Sequence, residues 1–187
     1  MALQRWTRIS RGVKIANPWW SYMLDEFRLP SGDQREYHSV HTNGSSMVIP
    51  IDPDGRILLV NQYRYLCDRE SIELPCGSVK EGATHDETAW HELAEETGYS
   101  ARELFQVGEF NPYNGVTDEM CRVYVARGLT HVGAAPDATE EFELLRLTPA
   151  ELDARIADGT IWDGMTIAAW GAARSKLTTL LTPGRSQ

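Results

Sequence analysis

The chain lacks several features that mark other classes of protein. Its 187 residues include three cysteines, scattered and without a Cys-x-x-Cys pair, which favours reduced thiols over a disulfide framework. The net charge is −9 and no block of Lys or Arg is present, so we expect no nucleic-acid partner and no anionic-membrane partner. No apolar run approaches the roughly 20 residues that a membrane span requires. The first residues also lack the apolar segment of a signal peptide, so we expect a cytoplasmic protein.

Length and composition fit a single globular unit with a substantial core. Hydrophobic residues make up 42% of the chain and charged residues 24%, which is ordinary for a globular protein. Residues 13–40 predict two strands joined by a turn at Pro30–Asp33. Further strand-like runs surround one central helix, and two more helices are predicted near the C-terminus, the first after a capping box at Thr148 and the last over residues 165–181. This order favours an α/β fold built on a mixed sheet.

The most informative segment runs from Gly77 to Tyr99 and carries three acidic residues, Glu92, Glu95 and Glu96. Their spacing places the three carboxylates on one face of a helix. Crowded carboxylates repel one another unless a cation lies among them, and hard oxygen ligands suit Mg²⁺ or Mn²⁺. We therefore predict a divalent metal site that handles a phosphate ester, with Glu95 as a further ligand or as a residue that orients the catalytic groups. The simpler alternative is a solvated, glutamate-rich helix face.

Local signals around these glutamates support a helix. Thr84 and Glu87 form a capping box, which predicts a helix start near Asp86. Gly98 stands just beyond the predicted end, where a left-handed residue is preferred.

The same segment resembles the Nudix box, which reads G-x5-E-x7-R-E-U-x-E-E-x-G-U with U apolar. The matching residues are Gly77, Glu92, Leu93, Glu95, Glu96, Gly98 and Tyr99. Two positions differ, because the first box glutamate falls on Ala83 and the box arginine on His91. In the family those two side chains usually pair and support the loop–helix–loop segment. The resemblance therefore implies that this supporting pair is changed here, whereas the metal-facing glutamates are retained.

The resemblance implies the α/β/α sandwich of the Nudix fold, with a mixed central sheet, over about residues 45–181. We divide the chain into an N-terminal β extension at 1–44, an additional antiparallel sheet, and a Nudix hydrolase domain at 45–187. Gln62-Tyr63-Arg64 and Glu73–Gly77 look like the ADP-ribose pyrophosphatase branch, which hydrolyses nucleoside diphosphate sugars. Members of that branch are commonly homodimers whose N-terminal sheets exchange and help to build the substrate site, so we expect a homodimer here.

Roles in that branch carry over to particular positions of this chain. Arg64 is expected to contact substrate phosphate, and the backbone carbonyl of Cys76 to bind the metal. A catalytic glutamate stands just before the strand near residue 142, a place held here by Glu141 with Glu140 beside it. Such a carboxylate accepts the proton of the attacking water. Glu119, at the end of the preceding loop, is a reserve candidate for the site.

Recognition of a nucleobase requires flat aromatic surface, and Trp19 and Trp20 are the candidates. As neighbours on a strand they would point to opposite faces, so that one packs inward while the other stacks on the base. Arg35 is a weaker candidate for a phosphate or ribose contact.

The sequence as a whole predicts a Mg²⁺-dependent enzyme, with Mn²⁺ possible as the cofactor. It would hydrolyse the diphosphate of a nucleoside diphosphate sugar, ADP-ribose favoured, to a nucleoside monophosphate and a sugar phosphate. Asn114 stands where ADP-ribose hydrolases have a proline, so the sequence does not fix which nucleotide sugar is the substrate. Two alternatives are a nucleoside triphosphate pyrophosphohydrolase and a non-catalytic nucleotide-sugar sensor, the latter supported by the changed residues Ala83 and His91.

Overall fold

The computed structural model of the chain describes residues 3–133 and 143–181, with the backbone alone at 178–181. The strands are β1 (Thr7–Ala16), β2 (Ser21–Arg28), β3 (Gln34–His41), β4 (Ser45–Pro50), β5 (Ile57–Arg64), β6 (Arg69–Glu73), β7 (Cys76–Ser78), β8 (Tyr99–Ser100), β9 (Glu103–Phe110), β10 (Cys121–Arg127), β11 (Thr130–His131) and β12 (Glu143–Leu147). The helices are α1 (His85–Thr97), α2 (Pro149–Ala157) and α3 (Gly164–Leu181). None of these helices is both long and apolar enough to cross a membrane.

The N-terminal segment forms an antiparallel sheet in the order β1-β2-β3. The prediction of two strands within residues 13–40 was wrong, because the first strand already begins at Thr7 and a second turn separates it from β2. That turn is organised by Asn17, whose side-chain oxygen accepts hydrogen bonds at 2.9 Å from the backbone N–H groups of Trp19 and Trp20. An asparagine that bonds the backbone two and three residues ahead is a local turn former.

The central sheet is mixed, as predicted. Its order is β7-β4-β10-β9, with β4 parallel to β10 and the other pairs antiparallel. A second sheet has the order β12-β5-β6, and a short β11-β8 ladder lies beside the end of α1. Side chains on β4 alternate between two clusters, since Val48 packs with Leu93 of α1, whereas Met47 and Ile49 join the larger core with Trp170 of α3. The result is an α/β sandwich in which the central sheet separates α1 from the other helices.

Helix α1 begins and ends through local chemistry. Both hydrogen bonds of the predicted capping box are present: the side chain of Thr84 accepts from the backbone N–H of Glu87, and the carboxylate of Glu87 accepts from the backbone N–H of Thr84. Gly98 closes the helix with a φ of 74°, a left-handed conformation that glycine adopts without penalty. Two well-defined ends make α1 a rigid support for the acidic side chains that it carries.

Candidate active site

The short strand β7 brings the start of the Nudix-box loop against α1. The backbone N–H of Cys76 donates a hydrogen bond to Oε2 of Glu96 at 3.2 Å, and Glu96 is buried. A Cβ added to Gly77 would lie 2.0 Å from Oε1 of Glu92, closer than two atoms can approach. The present position of the Glu92 carboxylate therefore depends on the missing side chain at Gly77 and not on backbone conformation, since Gly77 has no left-handed φ.

His91 makes further contacts with the acidic face. Its Nδ1 lies 2.8 Å from Oε2 of Glu95 and 3.9 Å from Oε1 of Glu92. One potential ligand atom from each of these three residues lies within 4.8 Å of the other two. The Glu92 and Glu95 side chains are both only 15% exposed, so partly desolvated carboxylates stand close together. This donor set fits a divalent cation, which would offset their mutual repulsion.

A cleft of about 690 Å³ opens above the carboxylates. It combines the acidic face of α1 with the turn between β1 and β2 and with the end of β5. The predicted site residues that line it are Trp19, Trp20, Arg64, Cys76, Glu92, Glu95 and Glu96. Within one chain, the structure thus brings together the predicted metal ligands, one predicted phosphate contact and both predicted aromatic side chains.

The two tryptophans differ from the prediction in one respect. They lie in the turn organised by Asn17 and not in a strand, so the alternation that would have pointed one inward does not apply. Trp19 is 73% exposed and Trp20 is 42% exposed, and both line the cleft. Both rings are therefore available to a ligand.

Arg64 is held in place by a buried carboxylate. Its Nε donates to Oε1 of Glu73 at 2.8 Å, and its Nη2 donates to Oε2 of the same residue. Gln62 also donates to Oε2 of Glu73, at 3.4 Å. The hydrogen bonds that it donates to Glu73 raise the pKa of the Arg64 guanidinium above its ordinary value. The two-pronged contact fixes the direction of the planar guanidinium beside the cleft.

Two other predicted residues do not line the cleft. Arg35, on β3, donates to the backbone carbonyl of its neighbour Gln34 at 2.8 Å and lies 3.8 Å from Asp33. Glu119 accepts a hydrogen bond from Ser45 at 2.7 Å. Local partners therefore engage both side chains. Glu140 and Glu141, the predicted general bases, lie outside the described residues.

Helical spacing predicts that His91 can reach Glu87 or Glu95, and the structure places its Nδ1 2.8 Å from Oε2 of Glu95. One residue that lines the cleft was missed by the sequence prediction. His41, at the end of β3, lines the cleft with its Nδ1 3.0 Å from a carboxylate oxygen of Asp118. No local pattern marks His41, because β3 reaches the cleft only through the tertiary fold.

The thiol of Cys76 is not suited to hold a metal. A hydrogen bond with Cys121 and burial raise the pKa of the Cys76 thiol well above its ordinary value. A thiol binds a metal as the thiolate, so at neutral pH this sulfur stays protonated. The metal role predicted for Cys76 concerns its backbone carbonyl and is unaffected.

Fold and site together define a hydrolase that uses a divalent metal. The family model of the NUDIX domain matches residues 41–168, more than half of the chain, and the protein therefore belongs to the Nudix family. An ADP-ribose pyrophosphatase of Mycobacterium tuberculosis is 31% identical over 162 residues, covering 85% of this chain and 78% of that protein. A methanol dehydrogenase activator of Bacillus methanolicus is 32% identical over 148 residues, covering 78% of this chain and 80% of the relative.

The fold also agrees with a solved structure. The crystal structure of an ADP compounds hydrolase superimposes with a TM-score of 0.84 over 100% of both chains, at 20% sequence identity. This likeness shows the fold, and the predicted Nudix sandwich with its additional antiparallel sheet is confirmed.

Proposed function

We propose that this protein hydrolyses the diphosphate bond of ADP-ribose or of a closely similar nucleoside diphosphate sugar. The products would be a nucleoside monophosphate and a sugar phosphate. One observation carries the proposal: a single cleft is lined by the box carboxylates, by the anchored Arg64 and by two exposed tryptophans. These groups match the parts of such a substrate, namely its diphosphate and its flat base. The name of the Mycobacterium tuberculosis relative supports the same substrate.

The diphosphate end of the cleft contains the metal ligands. Glu92, Glu95, Glu96 and the backbone carbonyl of Cys76 would hold Mg²⁺, with Mn²⁺ as the alternative. When bound, the ion neutralises phosphate charge and lowers the pKa of a bound water. The carboxylates stand on a helix fixed at both ends, so they are positioned before substrate arrives.

Arg64 would bind a phosphate oxygen of the substrate. Its side chain is 47% exposed and lines the cleft, whereas its partner Glu73 is buried. A guanidinium oriented in advance loses little side-chain entropy on binding. Glu73 uses two of the guanidinium's five N–H donors, and the others can donate to a phosphate oxygen.

The base would stack on Trp19 or Trp20. Both rings are presented by a turn whose backbone is held by Asn17, so the aromatic surface does not have to be assembled on binding. Base stacking on an aromatic side chain is sequence-tolerant because every base has a π-face. This part of the cleft therefore binds the nucleoside, and the carboxylates act on the diphosphate.

The general base remains a prediction for Glu141, with Glu140 as its neighbour. The box carboxylates are committed to the metal, so the proton of the attacking water requires another acceptor. Glu141→Gln should lower kcat by ~10²–10⁴ with little change in KM. A fall below about tenfold in both the Glu141 and Glu140 variants would contradict this role. Glu119 would then be tested next, although Ser45 engages it away from the cleft.

We further propose a homodimer formed through the N-terminal sheet. Strand β1 lies at the edge of that sheet and carries exposed apolar side chains, among them Val13 at 59% and Ile15 at 61%. An uncovered apolar edge strand is a liability unless another chain pairs with it. Val13→Asp should therefore shift the protein from dimer to a 21.0 kDa monomer in light scattering. Val132→Asp, an exposed apolar position outside this sheet, is the control. A parent protein that is already monomeric at micromolar concentration would contradict the proposal.

A substrate panel tests the function directly. The purified chain is assayed with ADP-ribose, other nucleoside diphosphate sugars and nucleoside triphosphates, each with Mg²⁺ and with Mn²⁺. We expect a nucleoside monophosphate and a sugar phosphate from the diphosphate sugars. Preferential release of pyrophosphate from triphosphates would favour the triphosphate pyrophosphohydrolase instead. Tight binding of a nucleotide sugar without turnover would favour the sensor.

A further inference from the structure

We propose that His91 is a metal ligand in this protein, together with Glu92 and Glu95. The site would then take a divalent transition metal such as Co²⁺ or Mn²⁺ through an imidazole nitrogen, in addition to oxygen ligands. This inference rests on the proposed function to the extent that the box glutamates hold the catalytic metal.

The distances fit one coordination sphere. Nδ1 of His91 lies 2.8 Å from Oε2 of Glu95 and 3.9 Å from Oε1 of Glu92. The three potential ligand atoms all lie within 4.8 Å of one another. Metal–ligand bonds of about 2.0–2.2 Å place neighbouring ligand atoms roughly 3 Å apart and opposite ones about 4 Å apart. The 2.8 Å from His91 to Glu95 matches neighbouring ligand atoms, and the 3.9 Å from His91 to Glu92 matches opposite ones.

The helix holds the three side chains in this relation. His91 and Glu95 are separated by one turn of α1, and Glu92 follows His91 directly. The capped ends of α1 limit fraying, so the spacing does not depend on substrate. The two glutamates line the cleft, and the His91 side chain beside them is 59% exposed.

The chemistry at this position differs from that of the family pattern. The Nudix box has an arginine here, and a guanidinium cannot lose its proton to bind a metal. An imidazole does so near neutral pH, and it is the commonest metal ligand among side chains. The usual partner of the box arginine is replaced by Ala83, so no carboxylate from that position competes for His91. The paired changes at 83 and 91 thus replace a side chain that pairs with residue 83 by one that can coordinate a metal ion.

The expected consequence is a changed preference among metals. Mg²⁺ favours oxygen ligands, whereas imidazole nitrogen favours the later first-row transition metals. His91 should therefore strengthen Co²⁺ binding most, Mn²⁺ binding less and Mg²⁺ binding little.

Metal binding without substrate tests the proposal. The full chain, His91→Leu and the control His131→Leu are each titrated calorimetrically with Co²⁺ alone and with Mg²⁺ alone. Leucine removes the nitrogen at similar size on an exposed helix face, so the fold should be retained. We expect His91→Leu to weaken Co²⁺ binding on the order of tenfold or more, with the Mg²⁺ dissociation constant within about twofold of the parent value. The control should leave both unchanged.

A spectroscopic readout separates ligation from a general effect on charge. Electron spin echo modulation of the Mn²⁺-loaded protein should show a directly bound ¹⁴N nucleus in the parent and in His131→Leu, and none in His91→Leu. A parent spectrum without ¹⁴N coupling would overturn the proposal, as would equal weakening of Co²⁺ and Mg²⁺ binding. Nitrogen coupling that depends on His91 in a protein that hydrolyses no nucleotide would instead leave this inference standing and remove the proposed function.

Discussion

Replacing Gly77 by alanine should disturb the active site while leaving the fold intact. The new Cβ would lie 2.0 Å from Oε1 and 2.2 Å from Cδ of Glu92. Ordinary carbon–oxygen contacts are about 3.3 Å long, so the carboxylate must retreat by about 1.3 Å. The atoms that must move are at the end of a flexible side chain, and Gly77 has no left-handed backbone conformation. Alanine is therefore compatible with the fold but not with the present position of Glu92.

The expected loss follows from that displacement. A misplacement of 1 Å at a catalytic site can cost ~10²-fold in rate, which corresponds to about 2.7 kcal/mol of transition-state stabilisation. We expect kcat/KM for ADP-ribose to fall by about this factor, together with weaker Mg²⁺ binding in calorimetry. The melting temperature should change by less than about 4 °C, the shift that 1 kcal/mol produces in a chain of this size.

A second glycine provides the matched control. Gly171 lies in α3, away from the cleft, and a Cβ added there would meet nothing within 4 Å. Gly171→Ala should keep the parental kcat/KM and stabilise the helix slightly, by roughly 0.5–1 kcal/mol. If Gly77→Ala keeps kcat/KM within about threefold of the parent value, Glu92 does not act from its position beside Gly77 and the reasoning fails.

Three further variants address the rest of the site and its support. Glu96→Gln removes charge at nearly constant shape, so turnover under limiting Mg²⁺ should be mostly lost while circular dichroism stays parental; parental turnover would place the metal elsewhere. Arg64→Lys loses the planar guanidinium that bonds Glu73 beside the cleft, so KM for ADP-ribose should rise on the order of tenfold. The control Arg35→Lys lies outside the cleft and should leave KM unchanged. Equal effects of the two variants in steady-state kinetics would refute the role of Arg64. Thr84→Ala removes the N-terminal cap of α1 and should cost about 1 kcal/mol in chemical denaturation; an unchanged midpoint would show that the cap contributes nothing.

Local features of this protein could be predicted from its sequence because they depend on short-range geometry. The capping residue Thr84 and the terminal Gly98 delimit α1, since both act within one turn of the helix. The shared face of Glu92, Glu95 and Glu96 follows from helical periodicity alone. Runs of apolar residues likewise marked the main strands of the central sheet, because a buried strand requires them.

Tertiary structure decided how these parts meet. The turn at Trp19 and Trp20 lies over the box carboxylates because β1 and β2 are placed there by the whole fold, more than seventy residues away in sequence. The contact of Gly77 with Glu92 and the anchoring of Arg64 by Glu73 likewise depend on strand pairing. The position of Arg35 was likewise not given by its charge, since within one chain it bonds Gln34, lies near Asp33 and does not line the cleft. Long-range pairing is set by the sum of many weak contacts across the sheets, and no short segment of the sequence carries that information.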